Sequence, residues 1–303
     1  MRIFAAFLFL SALSLAASAQ TTHTFIASSG DDLNPCTHTL PCRTWGGAVP
    51  KTLKEGGITP LDSAGFGTLT ITNSITIDGG PFFAGSHGIG SDSITINITD
   101  FVNDPAATVT LRNLNIVGAG NALNGVRILS ARKVVIENCR IYGFRAGTGR
   151  GIDIQTSVPN LAVFVSNCTI SGNSGQGIYS SGAGSGATAL SVEDSKIVQN
   201  GASAIDMVAN TRATVVRCGL NENGSAGVFA EAASTDADVS HTSFQHNIIA
   251  ASALNGASIR LFDSVLTHNF VSINGNVLSH GNNAVVNNNV NPLPALLPTP
   301  ALQ

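Results

Sequence analysis

The fold of this chain is decided by a seven-residue segment that recurs, first as VIENCRI at residues 135–141 and again as FVSNCTI at residues 164–170. Weaker copies of the segment occur before and after these two. Their central residues lie 22 to 29 positions apart and are Leu114, Cys139, Cys168, Ser195, Cys218, Thr242 and Ser264. A repeat of this length is typical of solenoid proteins, in which each repeat packs only on its neighbours.

A second segment in each repeat alternates apolar and polar residues, as a half-buried strand requires. It reads GVRI at 125–128, GIDI at 151–154, GIYS at 177–180, AIDM at 204–207 and GVFA at 227–230. No helix-length periodic stretch separates the strands, which excludes a fold of alternating strands and helices. The sequence therefore predicts an all-β solenoid of short, parallel strands.

Five asparagines keep the same phase, each five residues after a central residue: Asn173, Asn200, Asn223, Asn247 and Asn269. Asparagine tolerates the left-handed backbone of a tight turn, and stacked side-chain amides can hydrogen bond from turn to turn where no water reaches. We expect these residues to form a buried asparagine ladder.

These repeats, with the segments TFIASSGDD at 24–32 and PCRTW at 41–45, resemble secreted proteins with right-handed parallel β-helix repeats, of the pectin-lyase-like superfamily. The resemblance covers about residues 22–290. It implies a right-handed parallel β-helix of nine or ten turns, with a short helix over Arg43–Leu53 capping the N-terminal end of the core. Most enzymes of that superfamily are polysaccharide lyases, glycoside hydrolases or carbohydrate esterases, whereas many of its small repeat members have no known activity.

The two ends of the chain differ from the repeats. Residues 1–19 carry Arg2, an apolar run and Ala17-Ser18-Ala19, which predicts a signal peptide and a secreted protein, periplasmic or extracellular. The apolar run is shorter than the roughly 20 residues of a membrane span, so no membrane span is predicted. We expect the β-helix domain over residues 20–290 and a Pro-rich tail over 291–303, because proline lacks the N–H that a ladder needs.

The composition limits the possible functions, and the positions of the cysteines predict which of them form a disulfide. Charged residues are 11% of the chain and the net charge is −3, which excludes nucleic-acid binding through a basic surface. Cys36 and Cys42 are six residues apart in a loop and are predicted to form a disulfide. The three central cysteines, stacked ~4.8 Å apart with parallel side chains, are expected to be core thiols.

Catalytic residues in a solenoid must line up across turns, and one row offers acid and base groups. It consists of Arg127, Asp153, Tyr179, Asp206 and Phe229, each the outward residue of its strand. Two turns separate the aspartates by ~9.6 Å, near the upper end of the spacing in an inverting glycosidase. In an enzyme, Asp206, desolvated by Phe229, would be the general acid and Asp153 the base, with Tyr179 against a sugar ring. The alternative interpretation is a solvated face with an Arg–Asp pair.

A second row consists of Glu222, His246 and His268, each one residue before a ladder asparagine. Two imidazoles and one carboxylate can bind zinc, but turn-facing polar residues need no metal, and we predict no cofactor.

Two functions remain possible for the whole protein. The charged residues do not converge, which favours a non-catalytic glycan-binding or cell-surface protein; the alternative is a polysaccharide-cleaving enzyme. The partner that these functions imply is a polysaccharide.

Overall fold

Three parallel β-sheets surround one apolar core in the computed structural model, which describes residues 20–297. We call them sheets A, B and C, in the order in which the chain visits them in each turn. They contain 12, 10 and 9 strands, respectively. Each strand pairs in parallel with its equivalents in the preceding and following turns, so the predicted all-β parallel solenoid is confirmed.

The strands are short and follow one another in the order A, B, C. Sheet A contains Thr21–Ile26, Thr52–Pro60, Ile75–Asp78, Thr108–Arg112, Lys133–Glu137, Leu161–Ser166, Thr188–Glu193, Thr211–Val216, Thr235–Ser240, Ser258–Phe262, Val277–Ser279 and Ala295–Leu296. Sheet B contains Ala64–Gly65, Ala84–His87, Leu114–Val117, Arg140–Tyr142, Thr169–Ser171, Lys196–Val198, Gly219–Asn221, Ser243–Gln245, Val265–Thr267 and Ala284–Val286. Sheet C contains Leu69–Ile71, Ile94–Asn97, Asn124–Ser130, Arg150–Ile154, Ile178–Ser181, Ile205–Ala209, Ala226–Ala230, Ile249–Ala253 and Val271–Gly275.

The sequence repeat sets the register of the sheets. In sheet B the residues two positions after the central ones pair in succession and are fully buried: Ile116, Ile141, Ile170, Ile197, Leu220, Phe244 and Leu266. All seven central residues are buried beside this stack. The residue before each central one has a φ of 46° to 58°, and this left-handed conformation turns the chain from sheet A into sheet B.

The asparagines lie at the turn from sheet B to sheet C. Each is buried, and its Nδ2 donates to Oδ1 of the next at 2.9 to 3.1 Å, from Asn173 through to Asn288, a member that the sequence analysis did not include. The left-handed residue of this turn is the one before the asparagine, such as Gly172 or Glu222. Our expectation that asparagine itself adopts that conformation is therefore wrong at this turn, because its side chain points into the solenoid to meet its neighbours.

The helix near the N-terminus is shorter than expected. An α-helix spans Trp45–Ala48, a 3₁₀ turn spans Val49–Lys51, and sheet A resumes at Thr52, so the expected extension to Leu53 is wrong. Pro50 has no N–H to continue α-helical hydrogen bonding. Trp45 is nevertheless fully buried at the N-terminal end of the core, 5.3 Å from the ring of Phe66.

The predicted disulfide between Cys36 and Cys42 is present next to this helix, with Cα atoms 4.6 Å apart.

At the C-terminal end of the solenoid, Ala295 and Leu296 pair with Leu278 and Ser279, so sheet A continues into the segment that we expected to leave the ladder. These two residues follow Pro294 and supply N–H groups that proline lacks. The predicted signal peptide, residues 1–19, lies outside the described residues. Among residues 20–297, no helix is both long and apolar enough for a membrane crossing.

Candidate functional site

The outward row on sheet C has the predicted register. Arg127 pairs with Asp153, Asp153 with Tyr179, Tyr179 with Asp206, and Asp206 with Phe229. Adjacent strands in a sheet lie ~4.8 Å apart, which puts the backbones of the two aspartates ~9.6 Å apart. The pattern that predicted a half-buried strand therefore also predicted which residues share this face.

Glycine determines how these strands enter the sheet. At Gly151, an added Cβ would lie 2.5 Å from Cγ2 of Ile170 in sheet B, so no larger residue fits without movement. The chain passes close to the neighbouring sheet there, and the next residues alternate, with Ile152 and Ile154 in the core and Asp153 on the outer face. Gly177 has the same environment one turn later.

Asp153 is enclosed by protein groups. Only 1% of the residue is exposed. Its Oδ1 accepts from Arg150 Nη1 at 2.8 Å, Gln155 Nε2 lies 3.2 Å from both carboxylate oxygens, and Arg127 Nε lies 3.8 Å from Oδ2. Arg127 also lies 3.6 Å from Asp92. The Arg127–Asp153 pair is thus one part of a larger network around a buried carboxylate.

Arg150 lies at the centre of that network. Its Nε donates to Gln176 Oε1 at 3.0 Å, and its guanidinium carbon lies 3.3 Å from the ring centroid of Tyr179. One face of the tyrosine ring is therefore covered by a cation rather than available for a sugar. Hydrogen bonds through Arg150 and Gln176 link Asp153 to Asp206. An inverting mechanism would need room for water and substrate between these two aspartates.

Asp206 has a different environment. It is 5% exposed, its Oδ2 accepts from Gln176 Nε2 at 2.9 Å, and its Oδ1 has no hydrogen-bond donor among residues 20–297. Glu231 follows on the same face of the next turn, two residues after Phe229, the strand partner of Asp206. Burial raises the pKa of Asp206, and burial together with the neighbouring Asp206 raises the pKa of Glu231. The increase at Asp206 has the direction that the sequence analysis expected.

Five residues of this sheet C cluster were not predicted from the sequence: Asp92, Arg150, Gln155, Gln176 and Glu231. Arg150 and Gln176 each lie three residues before a row residue, in the matching segments RGID and QGIY. That matching spacing is the signal that could have identified them. Gln155 and Glu231 come directly after the alternating residues of their strands, where the apolar–polar pattern no longer predicts which way a side chain points.

A different part of the surface, the outer face of sheet A, carries two depressions. Two adjoining depressions of about 470 and 540 Å³ share Ala189 and Arg212. Small residues such as Ala189 and Ser191 contribute to the floor, with Phe164 on one side and Arg212 on the other. We call these two depressions the sheet A groove.

Charged pairs line one side of the sheet A groove. Arg260 Nη2 lies 3.0 Å from Asp236 Oδ1, and Arg260 Nε bonds Asp238. Arg212 Nε lies 3.5 Å from Asp236 Oδ2, although 84% of the arginine side chain is exposed. Phe164 on the opposite side is 41% exposed. Lys133 Nζ lies over this ring, 5.4 Å from its centroid. The groove therefore combines one partly exposed aromatic ring with two arginines and two aspartates whose charges balance.

The row of Glu222, His246 and His268 consists of turn residues with φ between 54° and 58°. The two imidazoles stack with centroids 5.4 Å apart, and Glu222 accepts a hydrogen bond from Gln199 at 2.9 Å. Within residues 20–297, no group of three or more His, Cys, Asp or Glu side chains is arranged to hold a metal ion. The conformation of the turn accounts for the alignment of this row.

The central cysteines, Cys139, Cys168 and Cys218, are buried free thiols, as expected. Burial raises the pKa of Cys218 to about 11. Since the thiolate is the reactive form, this residue is part of the core rather than a nucleophile.

Comparison with known proteins relates the chain to proteins of the same shape. The family described as "Right handed beta helix region" matches residues 63–249 and, in an overlapping alignment, residues 101–291. A crystal structure of the pectate lyase Pel9A is similar, with a TM-score of 0.54 and 14% identity over 88% of this chain and 79% of that one. A GH136 lacto-N-biosidase from Eubacterium ramulus gives a TM-score of 0.52 and 11% identity over 91% of this chain and 66% of that one. A search of curated proteins gave no match.

Proposed function

Since this chain belongs to the right-handed β-helix family, we propose that it is an exported protein that binds a polysaccharide in the sheet A groove without cleaving it. Export rests on the signal-peptide pattern of residues 1–19. The ligand class has support from two proteins of similar fold, a pectate lyase and a lacto-N-biosidase, whose names refer to carbohydrate substrates. Because fold alone does not determine activity, the proposal depends on the groove itself.

The observation that carries the proposal is the composition of the sheet A groove. A saccharide ring presents C–H groups on its faces and hydroxyl groups around its edge. Phe164 offers an exposed ring for the first, and Arg212 and Asp236 offer donors and acceptors for the second. The two depressions adjoin, so a chain of several sugars fits better than a single one.

The charged groups also explain why we propose binding without cleavage. The carboxylates of the groove, Asp236 and Asp238, each form an ion pair with Arg260, which would have to break before either could act on a bound sugar. On sheet C, Asp153 is enclosed, and Arg150 and Gln176 connect it to Asp206. An inverting pair needs a water molecule next to its base.

One observation favours the alternative, a polysaccharide-cleaving enzyme that uses sheet C. Burial raises the pKa of Asp206, as a general acid requires. In that case Arg127, Asp153 and Tyr179 would complete the site after movement of Arg150. The alternative requires that cleavage of a bound glycan be lost in Asp206→Asn and in Asp153→Asn.

Binding is tested by screening the purified protein against immobilised polysaccharides and then measuring affinity for the strongest ligand. Phe164→Ala should weaken binding about tenfold, the equivalent of ~1.4 kcal/mol, because the sugar loses its stacking surface. The matched control is Phe262→Ala: Phe262 is also on sheet A and is 42% exposed, but it does not line the groove.

The control should bind as the unmodified protein does, and no new reducing ends should appear on long incubation. Equal weakening by both variants, or unchanged affinity in Phe164→Ala, would show that the groove is not the binding site. Accumulation of reducing ends that stops in Asp206→Asn would favour the enzyme.

A further inference from the structure

The sheet C cluster contains more acids than bases. Its cations are Arg127 and Arg150. Its acids are Asp92, Asp153, Asp206 and Glu231. Arg127 lies between Asp92 and Asp153, and Arg150 bonds Asp153 directly. If every acid were ionised, two negative charges would be uncompensated, and they would lie at the Asp206–Glu231 end of the cluster.

The geometry at the Asp206–Glu231 end of the cluster indicates a proton between the two carboxyl groups. Asp206 is buried and receives one hydrogen bond, from Gln176, while its Oδ1 meets no donor within residues 20–297. Glu231 comes two residues after Phe229, the strand partner of Asp206, which places its carboxyl group beside Asp206 on the same face of the next turn. Two ionised carboxylates are acceptors only, so this contact is attractive only if one of them is protonated.

The other groups that face Asp206 and Glu231 make a metal cation between the two carboxyl groups unfavourable. Arg150 is close enough to interact electrostatically with Asp206, and the Gln176 amide directs an N–H at it. Both groups present positive charge where a cation would bind. Tyr179 and Phe229, the row neighbours of Asp206, add no anionic ligand at neutral pH.

We propose that Asp206 and Glu231 share one proton and that this bond fastens the turn after Ala226–Ala230 onto sheet C, which makes the stability of the solenoid depend on pH. The backbone assists, since Glu231 N donates to Met207 O at 2.9 Å. This proposal is independent of the sheet A groove.

The direction of the effect follows from the two raised pKa values. A carboxyl group whose pKa is higher in the folded than in the unfolded state binds more protons when folded. Its stabilisation is present at acid pH, near the unfolded value of about 4, and is lost as the pH rises through the folded value. Most surface carboxylates in ion pairs have the opposite dependence.

The test compares the melting temperature of the full mature protein with that of Glu231→Gln from pH 4 to pH 9. An amide can donate to ionised Asp206, so the variant should melt about 2–4 °C above the unmodified protein at pH 8, and this advantage should disappear towards pH 4. The control is Glu55→Gln, an exposed glutamate on sheet A that forms no ion pair within residues 20–297 and should leave the pH profile unchanged.

Infrared spectroscopy gives a second measurement that does not depend on how stable a variant is. As the pH is raised from 4, the folded protein should keep the band of a protonated carboxylic acid after its exposed carboxyl groups have ionised, and that remaining band should be absent in Glu231→Gln and Asp206→Asn. A pH-independent difference in melting temperature, together with no such band, would overturn the proposal. So would calcium chloride that raises the melting temperature of the unmodified protein at pH 8 but not that of Glu231→Gln, since a cation would then be the link.

Discussion

Asp153 and Asp206 occupy equivalent positions two turns apart, and their partners give them different properties. Asp153 accepts from Arg150 and Gln155, whereas Asp206, within residues 20–297, accepts only from Gln176 and lies beside another acid, Glu231. Apolar–polar alternation predicted that both face outward. It did not predict Arg150, because that side chain leaves the start of its strand, where alternation does not apply, and folds back over the row.

At this scale we expect Arg150→Met to destabilise the protein by about 3 kcal/mol, because it leaves Asp153 as a buried charge without its closest cation. Urea denaturation measures the loss. The matched variant is Arg212→Met, whose arginine is largely exposed and whose loss should cost no more than about 0.5 kcal/mol. Equal effects of the two substitutions would show that Arg150 contributes no more than a surface arginine.

Among the structural elements, the turns repeat one left-handed conformation as regularly as the strands repeat their pairing. Strand positions were predictable because a period of 22 to 29 residues repeats the same apolar spacing. The ends of the solenoid were less predictable because they have a neighbour on one side only. Pro50 shortens the helix, and Ala295 and Leu296 add a last strand that no repeat indicates.

Asn223 lies in the middle of the row of asparagines, and Asn223→Ala should cost more than about 1 kcal/mol. The substitution removes the acceptor of Asn200 Nδ2 and the donor to Asn247 Oδ1, both in a buried turn. Thermal unfolding measures the effect, with the exposed Asn121→Ala as control. A melting temperature equal to that of the control would contradict a stabilising role for these hydrogen bonds.

Each of the three sheets of the solenoid has a different role. Sheet B carries the central stack of the core, sheet C carries the buried ionic cluster, and sheet A carries the open groove. The groove was not predictable from the sequence, because its shape depends on small side chains next to large ones in different turns. Phe164 and Arg212 are 48 residues apart in the chain yet line one depression.

Polysaccharide binding on sheet A can be seen in a crystal structure of the protein with an oligosaccharide of the polymer that it binds. We expect the sugar chain on sheet A, one ring against Phe164 and hydroxyl groups within hydrogen-bonding distance of Arg212 and Asp236. A sugar chain on sheet C, over Tyr179 and Asp206 with Arg150 displaced, would contradict the claim and favour the enzyme.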